Sequence, residues 1–283
     1  MEKRTILAFV LSFLVLIIWS YVFGPSTEQV PEKESLKEAS QSPTLPALHP
    51  PAIVETPRRT EGESIPNATE KEIEIETPFY IAVFSNAGPT IKSFKLKDYR
   101  ETTDPASPMI DLVNLEKGMG DFFLATFGEK PAAGKDTKIY EVDDQAIRLA
   151  AGDSAKDLVF RSVTPQGVSV HQTYRFYPDQ YRIDLKFHMI NESSEIVTGP
   201  FAVVLKALAP KGKKSYYSFL GLLLLLEDKL KEVKIKEVSE EKILAGQIGW
   251  MAYEDDFFIS AVIPDQPTKA TFKGRLSSSG VLE

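Results

Sequence analysis

The sequence predicts an all-β domain, a large antiparallel β-sandwich, preceded by one transmembrane helix and a disordered linker. Residues 6–23 carry no charge, residues 24–71 contain eight of the nineteen prolines, and short alternating apolar and polar runs begin at residue 72. Turn residues separate these runs, and no long helical pattern follows residue 23. The predicted organisation is therefore an anchor (1–23), a linker (24–71) and a β-sandwich domain (72–283).

The uncharged stretch predicts a membrane anchor. At 1.5 Å per residue its eighteen residues span about 27 Å, close to the hydrocarbon thickness of a bilayer. Lys3 and Arg4 precede it, so the positive-inside rule places the N-terminus in the cytoplasm and the rest of the chain outside. Trp19, Tyr21 and Phe23 would lie at the outer interface of the bilayer. A cleaved signal peptide is the alternative, but its apolar region is usually shorter.

The linker is predicted to be disordered because of its composition. Residues 24–71 are rich in Pro, Glu, Ser and Thr and have no periodic apolar pattern. Such a segment buries too little apolar surface to offset the entropy lost on ordering.

The clearest β signal is a hairpin over residues 168–189. Even-numbered residues are the inward set of its first strand, and odd-numbered residues are the inward set of the second. A loop of residues 177–180 would pair Phe176 with Tyr181, which keeps both inward sets on one face. The same register places His171 opposite Lys186 on the outward face, with His188 as a diagonal neighbour.

Seven further strands are expected from the same pattern. They are residues 72–76, 79–85, 91–96, 158–163, 201–208, 232–238 and 247–263. The run from Phe219 to Leu226, apolar throughout except for Gly221, is too short to span a membrane and favours a strand buried on both faces. An exposed groove or edge is the alternative for this run.

The residue types disfavour several classes of chemistry. The chain has no cysteine, which excludes thiol and thiolate sites, and its net charge of -7 disfavours nucleic-acid binding. His171 and His188, beside Lys186 and without a third ligand, make a poor metal site. Neighbouring acids such as Asp143 and Asp144 point to opposite faces of a strand, so they are poorly placed to act on one bond. We therefore predict no catalytic, cofactor-binding or metal-binding residues, and no enzyme activity.

Five segments in order resemble the bacterial YidC membrane protein insertases. They are the anchor beginning Met1-Glu2-Lys3-Arg4, the Pro-rich linker, the run from Ile75 through Asn86-Ala87-Gly88 to Tyr99, the central hairpin with Tyr174-Arg175-Phe176, and Gly249-Trp250 running into Phe257-Phe258 and Pro264. Phe257 stands where the family more often has Tyr. The resemblance implies a periplasmic sandwich related to sugar-mutarotase-like domains, followed in the family by five more membrane helices. We therefore expect this chain to be the N-terminal part of an insertase, truncated within the sandwich.

The resemblance also implies a function. The chain would be the anchored periplasmic domain of an inner-membrane insertase and chaperone, with the Sec translocon, its accessory subunits and nascent membrane proteins as partners, the lipid bilayer around its helix, and no nucleic acid. An anchored sugar-binding or aldose-epimerase-like sandwich is the rival, because one fold hosts several functions. That chemistry would need a histidine and a carboxylate converging in a cleft. A secreted interaction module is a third possibility.

Overall fold

A computed structural model describes residues 69–113, 115, 121–128, 138–164, 166–209 and 219–283. These residues belong to one compact unit of the chain, Gly62–Glu283. Apart from a turn of 3-10 helix at Ile235–Glu237, the regular structure in them is β-strand. The all-β prediction is confirmed for this part of the chain. The predicted anchor and nearly all of the predicted linker lie outside the described residues.

Eighteen strands form in the described residues. In chain order they are β1 (Glu72–Glu76), β2 (Tyr80–Ser85), β3 (Thr90–Arg100), β4 (Met109–Asp111), β5 (Phe123–Phe127), β6 (Glu141–Val142), β7 (Ala146–Arg148), β8 (Lys156–Val163), β9 (Val168–Phe176), β10 (Ile183–Asn191), β11 (Phe201–Leu205), β12 (Ala207–Leu208), β13 (Gly221–Leu226), β14 (Lys229–Lys234), β15 (Lys242–Glu254), β16 (Ile259–Val262), β17 (Thr268–Gly274) and β18 (Val281–Leu282).

Three larger sheets carry most of the strands. Sheet 1 has the order β4-β3-β2-β1-β7, and sheet 2 has the order β10-β9-β8-β6. Sheet 3 has the order β14-β13-β15-β16, with β17 pairing the first half of β15. Two short pairs, β5 with β11 and β12 with β18, complete the set. The pairing is antiparallel as predicted, except that β1 and β7 run parallel.

Sheets 1 and 2 pack face to face around the first hydrophobic core. Alternation in β2 buries Tyr80, Ala82 and Phe84, because successive side chains of a strand point to opposite faces. The Phe84 ring contacts the rings of Tyr174 at 5.0 Å and Phe176 at 5.5 Å from sheet 2. These contacts hold the two sheets as a sandwich.

The hairpin of β9 and β10 confirms the predicted inward face of β9 and corrects the predicted register, while the predicted inward residues Tyr181 and Met189 are exposed. Even-numbered residues of β9 are buried from Val168 to Phe176. Phe176, however, pairs with Ile183 and not with Tyr181. Because the register is shifted by two residues, the same residues still share a face of the hairpin. The loop becomes longer and extends over residues 177–182.

Side chains of the loop explain the longer connection. The Tyr177 hydroxyl donates a hydrogen bond of 2.5 Å to Asp184, and Arg182 donates to both of these side chains. The Tyr181 ring contacts Phe79 edge-on at 5.1 Å instead of continuing the strand. These contacts fix a wider turn than the hydrophobic alternation alone indicates.

Sheet 3 supplies the second hydrophobic core. Leu222 and Leu224 of β13 pack in it with Val233, Tyr253 and other buried side chains. Leu223, on the opposite face of β13, is also buried, at 7% exposure. The prediction of a strand buried on both faces is confirmed for the central leucines of the run.

A tight turn joins β13 to β14. Its two residues, Glu227 and Asp228, have φ angles of 49° and 57°. Two successive residues with positive φ are typical of the type I′ hairpin turn, in which Asn and Gly are the usual residues. The Glu227 carboxylate accepts a hydrogen bond from the Gln247 backbone N–H, which ties the turn to β15.

Candidate interaction surfaces

The residues predicted to anchor the chain lie outside the described part of the structure. Lys3, Arg4, Trp19, Tyr21 and Phe23 therefore remain predicted anchor residues. Among the described residues, no helix has both the length and the apolar character needed to cross a bilayer.

The outward face of sheet 2 is a charged and polar surface. The Arg175 guanidinium donates two hydrogen bonds to Asp157, at 2.7 and 2.8 Å, and Arg161 lies 2.5 Å from Asp143. The hydrogen bond from Arg175 lowers the pKa of Asp157 more than partial desolvation raises it. Asp157 is thus held as an ionised acceptor, which leaves it unsuited to general acid catalysis near neutral pH.

The two histidines on this face are direct partners. His171 pairs with His188 across β9 and β10, with ring centroids 6.3 Å apart, which corrects the predicted pairing of His171 with Lys186. Burial lowers the pKa of His171, and the charges of Arg161 and His188 lower it further. No group of three or more His, Asp or Glu side chains is placed to hold a metal ion in the described residues. Burial and the neighbouring Arg161 guanidinium therefore both favour the neutral form of the His171 imidazole.

A shallow depression lies where the β13–β14 turn approaches β15 and β17. Its volume is about 450 Å³, and its lining consists of Glu227, Gly246, Gln247, Pro267 and Lys269. The Glu227 carboxylate already accepts a hydrogen bond from the Gln247 backbone N–H, and the lining residues include no histidine. The histidine and carboxylate pair that an epimerase would need does not meet here.

The outer face of sheet 3, opposite its core, is apolar and partly exposed. Register puts Leu225 opposite both Leu230 and Trp250, and Ala252 opposite Ala261. Leu230 has 55% of its surface exposed, while Leu225 and Trp250 are half-buried. Both faces of this sheet are therefore apolar, but only one faces the second core.

A continuous apolar row follows edge strand β16 on the same outer face. We call Phe257, Ile259, Ala261 and Ile263 the β16 stripe. Ile259 and Ala261 alternate with half-buried Ser260 and Val262, Ile263 directly follows the strand, and Phe257 stands in the turn before it. Exposure is 86% for Phe257, 55% for Ile259 and 71% for Ile263.

A rigid turn presents the most exposed member of the stripe. The Asp255 carboxylate accepts hydrogen bonds from the backbone N–H groups of Phe257 and Phe258, at 2.8 and 2.7 Å. The Phe258 ring contacts Tyr99 edge-on at 5.3 Å, whereas Phe257 points to solvent. Residues 247–263 were predicted as one strand, and this turn divides them into β15 and β16. The signal for the break is the Asp255-Asp256 pair, because Asp caps turns through its side chain.

Comparisons with known proteins agree with this architecture. A sequence model of the YidC periplasmic domain matches residues 72–282. The membrane protein insertase YidC of Geobacter metallireducens is 30% identical over 289 residues, an alignment that covers all of this chain and 52% of the relative. The same protein of Syntrophus aciditrophicus is 29% identical over 293 residues, covering all of this chain and 54% of the relative. The chain spans about half the length of the curated relatives it matches.

Proposed function

Because this chain belongs to the YidC membrane protein insertase family, with residues 72–282 as its periplasmic domain, we propose that it helps inner-membrane proteins to insert and fold. Its first helix would anchor it in the inner membrane with the N-terminus in the cytoplasm. The sandwich would then work in the periplasm as a chaperone module beside the Sec translocon, its accessory subunits and the nascent membrane protein.

The family match over residues 72–282 carries this proposal, because it takes in almost every described residue. The surface chemistry agrees with a binding role and not with catalysis. On sheet 2, Asp143 and Asp157 are engaged in ion pairs with arginines, and on sheet 3 the exposed side chains include the apolar residues Leu230 and Ile259. Apolar surface of this kind serves recognition of other proteins.

The insertion step itself would take place in the part of the relatives that this chain does not span. Moving a polar segment into lipid needs a protein-lined hydrophilic surface at membrane depth. A single apolar helix over residues 6–23 offers none. The role proposed for this chain is therefore to position partners outside the bilayer. For the fold, we propose that sheets 1 to 3 form a supersandwich of the sugar-mutarotase-like kind.

A chimera tests this function. Residues 1–283 would replace the matching half of the G. metallireducens relative, and the chimera would be produced in bacteria depleted of their own insertase. We expect growth and insertion of a multi-spanning reporter protein, with the intact relative as the positive control. Failure of a chimera that accumulates normally in the membrane would refute the proposal.

The chain alone is the second arm of that experiment. Residues 1–283 without the remaining half should not restore growth, because they lack a hydrophilic path through the bilayer. Restored growth from this chain alone would show that the sandwich itself performs insertion, and would overturn the division of labour proposed here.

A further inference from the structure

The outer face of sheet 3 has the size and rigidity of a docking surface. From Ile259 to Ile263 the β16 stripe is about 13 Å long at the usual rise of a strand, and Phe257 lies in the turn beyond Ile259. The register of β15 with β16, continued by one residue, brings Ile263 level with Trp250. The stripe thus joins the row of Trp250, Leu225 and Leu230 into one apolar surface across four strands.

Acidic side chains border this surface at both ends of the stripe. Glu254, which pairs with Ile259, and the turn residues Asp255 and Asp256 lie at one end, and exposed Asp265 lies just beyond Ile263 at the other. Burial raises the pKa of Tyr253 to about 12, and the nearby Asp255 and Asp256 add to this shift as lesser causes. A negative border repels anionic lipid headgroups and attracts cationic groups.

We propose that the outer face of sheet 3 docks a cationic amphipathic polypeptide segment, whose apolar side chains cover the β16 stripe and whose Lys or Arg residues meet the acidic border. The segment belongs to another protein and lies along β16 over about six residues if extended. This inference goes beyond the proposed function, because it identifies a binding surface and the chemistry of its partner.

The geometry supports a preformed site. Asp255 fixes the turn with two hydrogen bonds, so Phe257 is presented without a further loss of chain entropy on binding. Exposed aromatic side chains held in this way are typical anchors of protein interfaces. The acidic border adds specificity and a faster encounter with cationic partners.

Single labels can test the proposal, because the chain has no cysteine of its own. Ile263→Cys places an environment-sensitive dye on the stripe, and Ile243→Cys places it on β15 at an exposed position outside it, 53% exposed. The full chain would be studied in phosphatidylcholine nanodiscs. The probes are a 13-residue peptide of alternating Leu and Lys and its Leu–Glu counterpart.

We expect the Leu–Lys peptide to shift the dye emission at position 263 to the blue and to leave the dye at 243 unchanged. Its Kd should be at least tenfold lower than that of the Leu–Glu peptide, and should rise with salt. Replacing Glu254 and Asp256 by Gln and Asn should weaken binding at least threefold. The matched removal of two exposed acids elsewhere, Asp179→Asn with Glu192→Gln, should change it less than twofold.

Three outcomes would overturn the proposal. Equal responses at 263 and 243 would mean unspecific adsorption of the peptide. Equal affinity for the Leu–Lys and Leu–Glu peptides would remove the role of the acidic border. Blue emission at 263 before any peptide is added would mean that lipid, a second copy of the chain or another part of this chain already covers the face. Circular dichroism of each variant checks that the sheets are intact.

Discussion

Two buried tyrosines in the first core should respond in opposite ways to loss of their hydroxyl groups. Tyr174 is 2% exposed, and its hydroxyl lies 3.0 Å from the carbonyl oxygen of Pro89 and 3.2 Å from Oε1 of Gln172, both acceptors. Tyr80 is fully buried, and its hydroxyl has no hydrogen-bond partner among the described residues. At pH 8, Tyr174→Phe should therefore cost about 1 to 2 kcal/mol of unfolding free energy. Tyr80→Phe should be neutral or stabilising by up to about 1 kcal/mol.

Raising the pH adds a second and equal effect on both tyrosines. Burial raises the pKa of Tyr80, and it also raises that of Tyr174, so each stays protonated in the folded state while the unfolded chain ionises near pH 10. The contribution of these two protonated tyrosines to the unfolding free energy is complete below pH 10 and is lost as the pH rises above it. At pH 11 the loss per tyrosine is RT ln(1 + 10), or about 1.4 kcal/mol. Each Phe variant escapes this loss, so it should gain about 1.4 kcal/mol relative to the wild-type chain between pH 8 and pH 11.

Urea denaturation of the full chain in a mild non-ionic detergent, followed by circular dichroism, measures these differences. Comparing each variant with the wild-type chain at the same pH cancels the titration of lysines and other groups common to both. Tyr99→Phe is the control, because this side chain is 46% exposed. A difference between the wild-type chain and Tyr174→Phe that is the same at pH 8 and pH 11 would refute the reasoning.

Three further outcomes follow from the structure. Leu224→Ala should cost about 3 kcal/mol in urea denaturation because Leu224 is fully buried, whereas Leu230→Ala, at 55% exposure, should cost less than about 1 kcal/mol. Asp228→Gly should raise the unfolding free energy by about 0.5 kcal/mol, because glycine adopts positive φ without steric cost, and a lower value would argue against a type I′ turn. If residues 6–23 are an uncleaved anchor, the chain should keep Met1 and resist carbonate extraction, and its recovery as a soluble periplasmic protein would contradict this prediction.

The faces of strands were predictable from the sequence because alternation is a local property of the chain. The even-numbered residues of β9 are buried as the pattern indicates, and β1 has the predicted bounds. The register between strands was harder to predict from the sequence. The shift of the β9–β10 hairpin depends on the contact of Tyr177 with Asp184 and on that of Tyr181 with Phe79, which join residues that alternation treats as independent.

Short strands were missed because their residues do not alternate over a sufficient length. Strands β6, β7 and β18 have only two or three residues each, and β5 has five. Each is defined by a partner distant in sequence, as β5 is by β11. Strand β17 was missed for another reason. Four of its first five residues are exposed at the edge of β15, so it lacks a complete apolar face.

The apolar outer face of sheet 3 was the least predictable feature. It forms only where several strands lie side by side, and none of these strands has an unusual sequence. The leucine run indicates burial on both faces, and the structure gives one face to the second core while the other continues into Trp250 and the β16 stripe. Exposure of the stripe depends on β16 lying at an edge of sheet 3, which only the strand order shows. A positive charge introduced on this surface should therefore act on binding and not on folding. Ile259→Lys, at 55% exposure, should leave the urea midpoint within the error of the wild-type value while abolishing the response to the Leu–Lys peptide. A large loss of stability in this variant would show that the stripe is part of the packed structure.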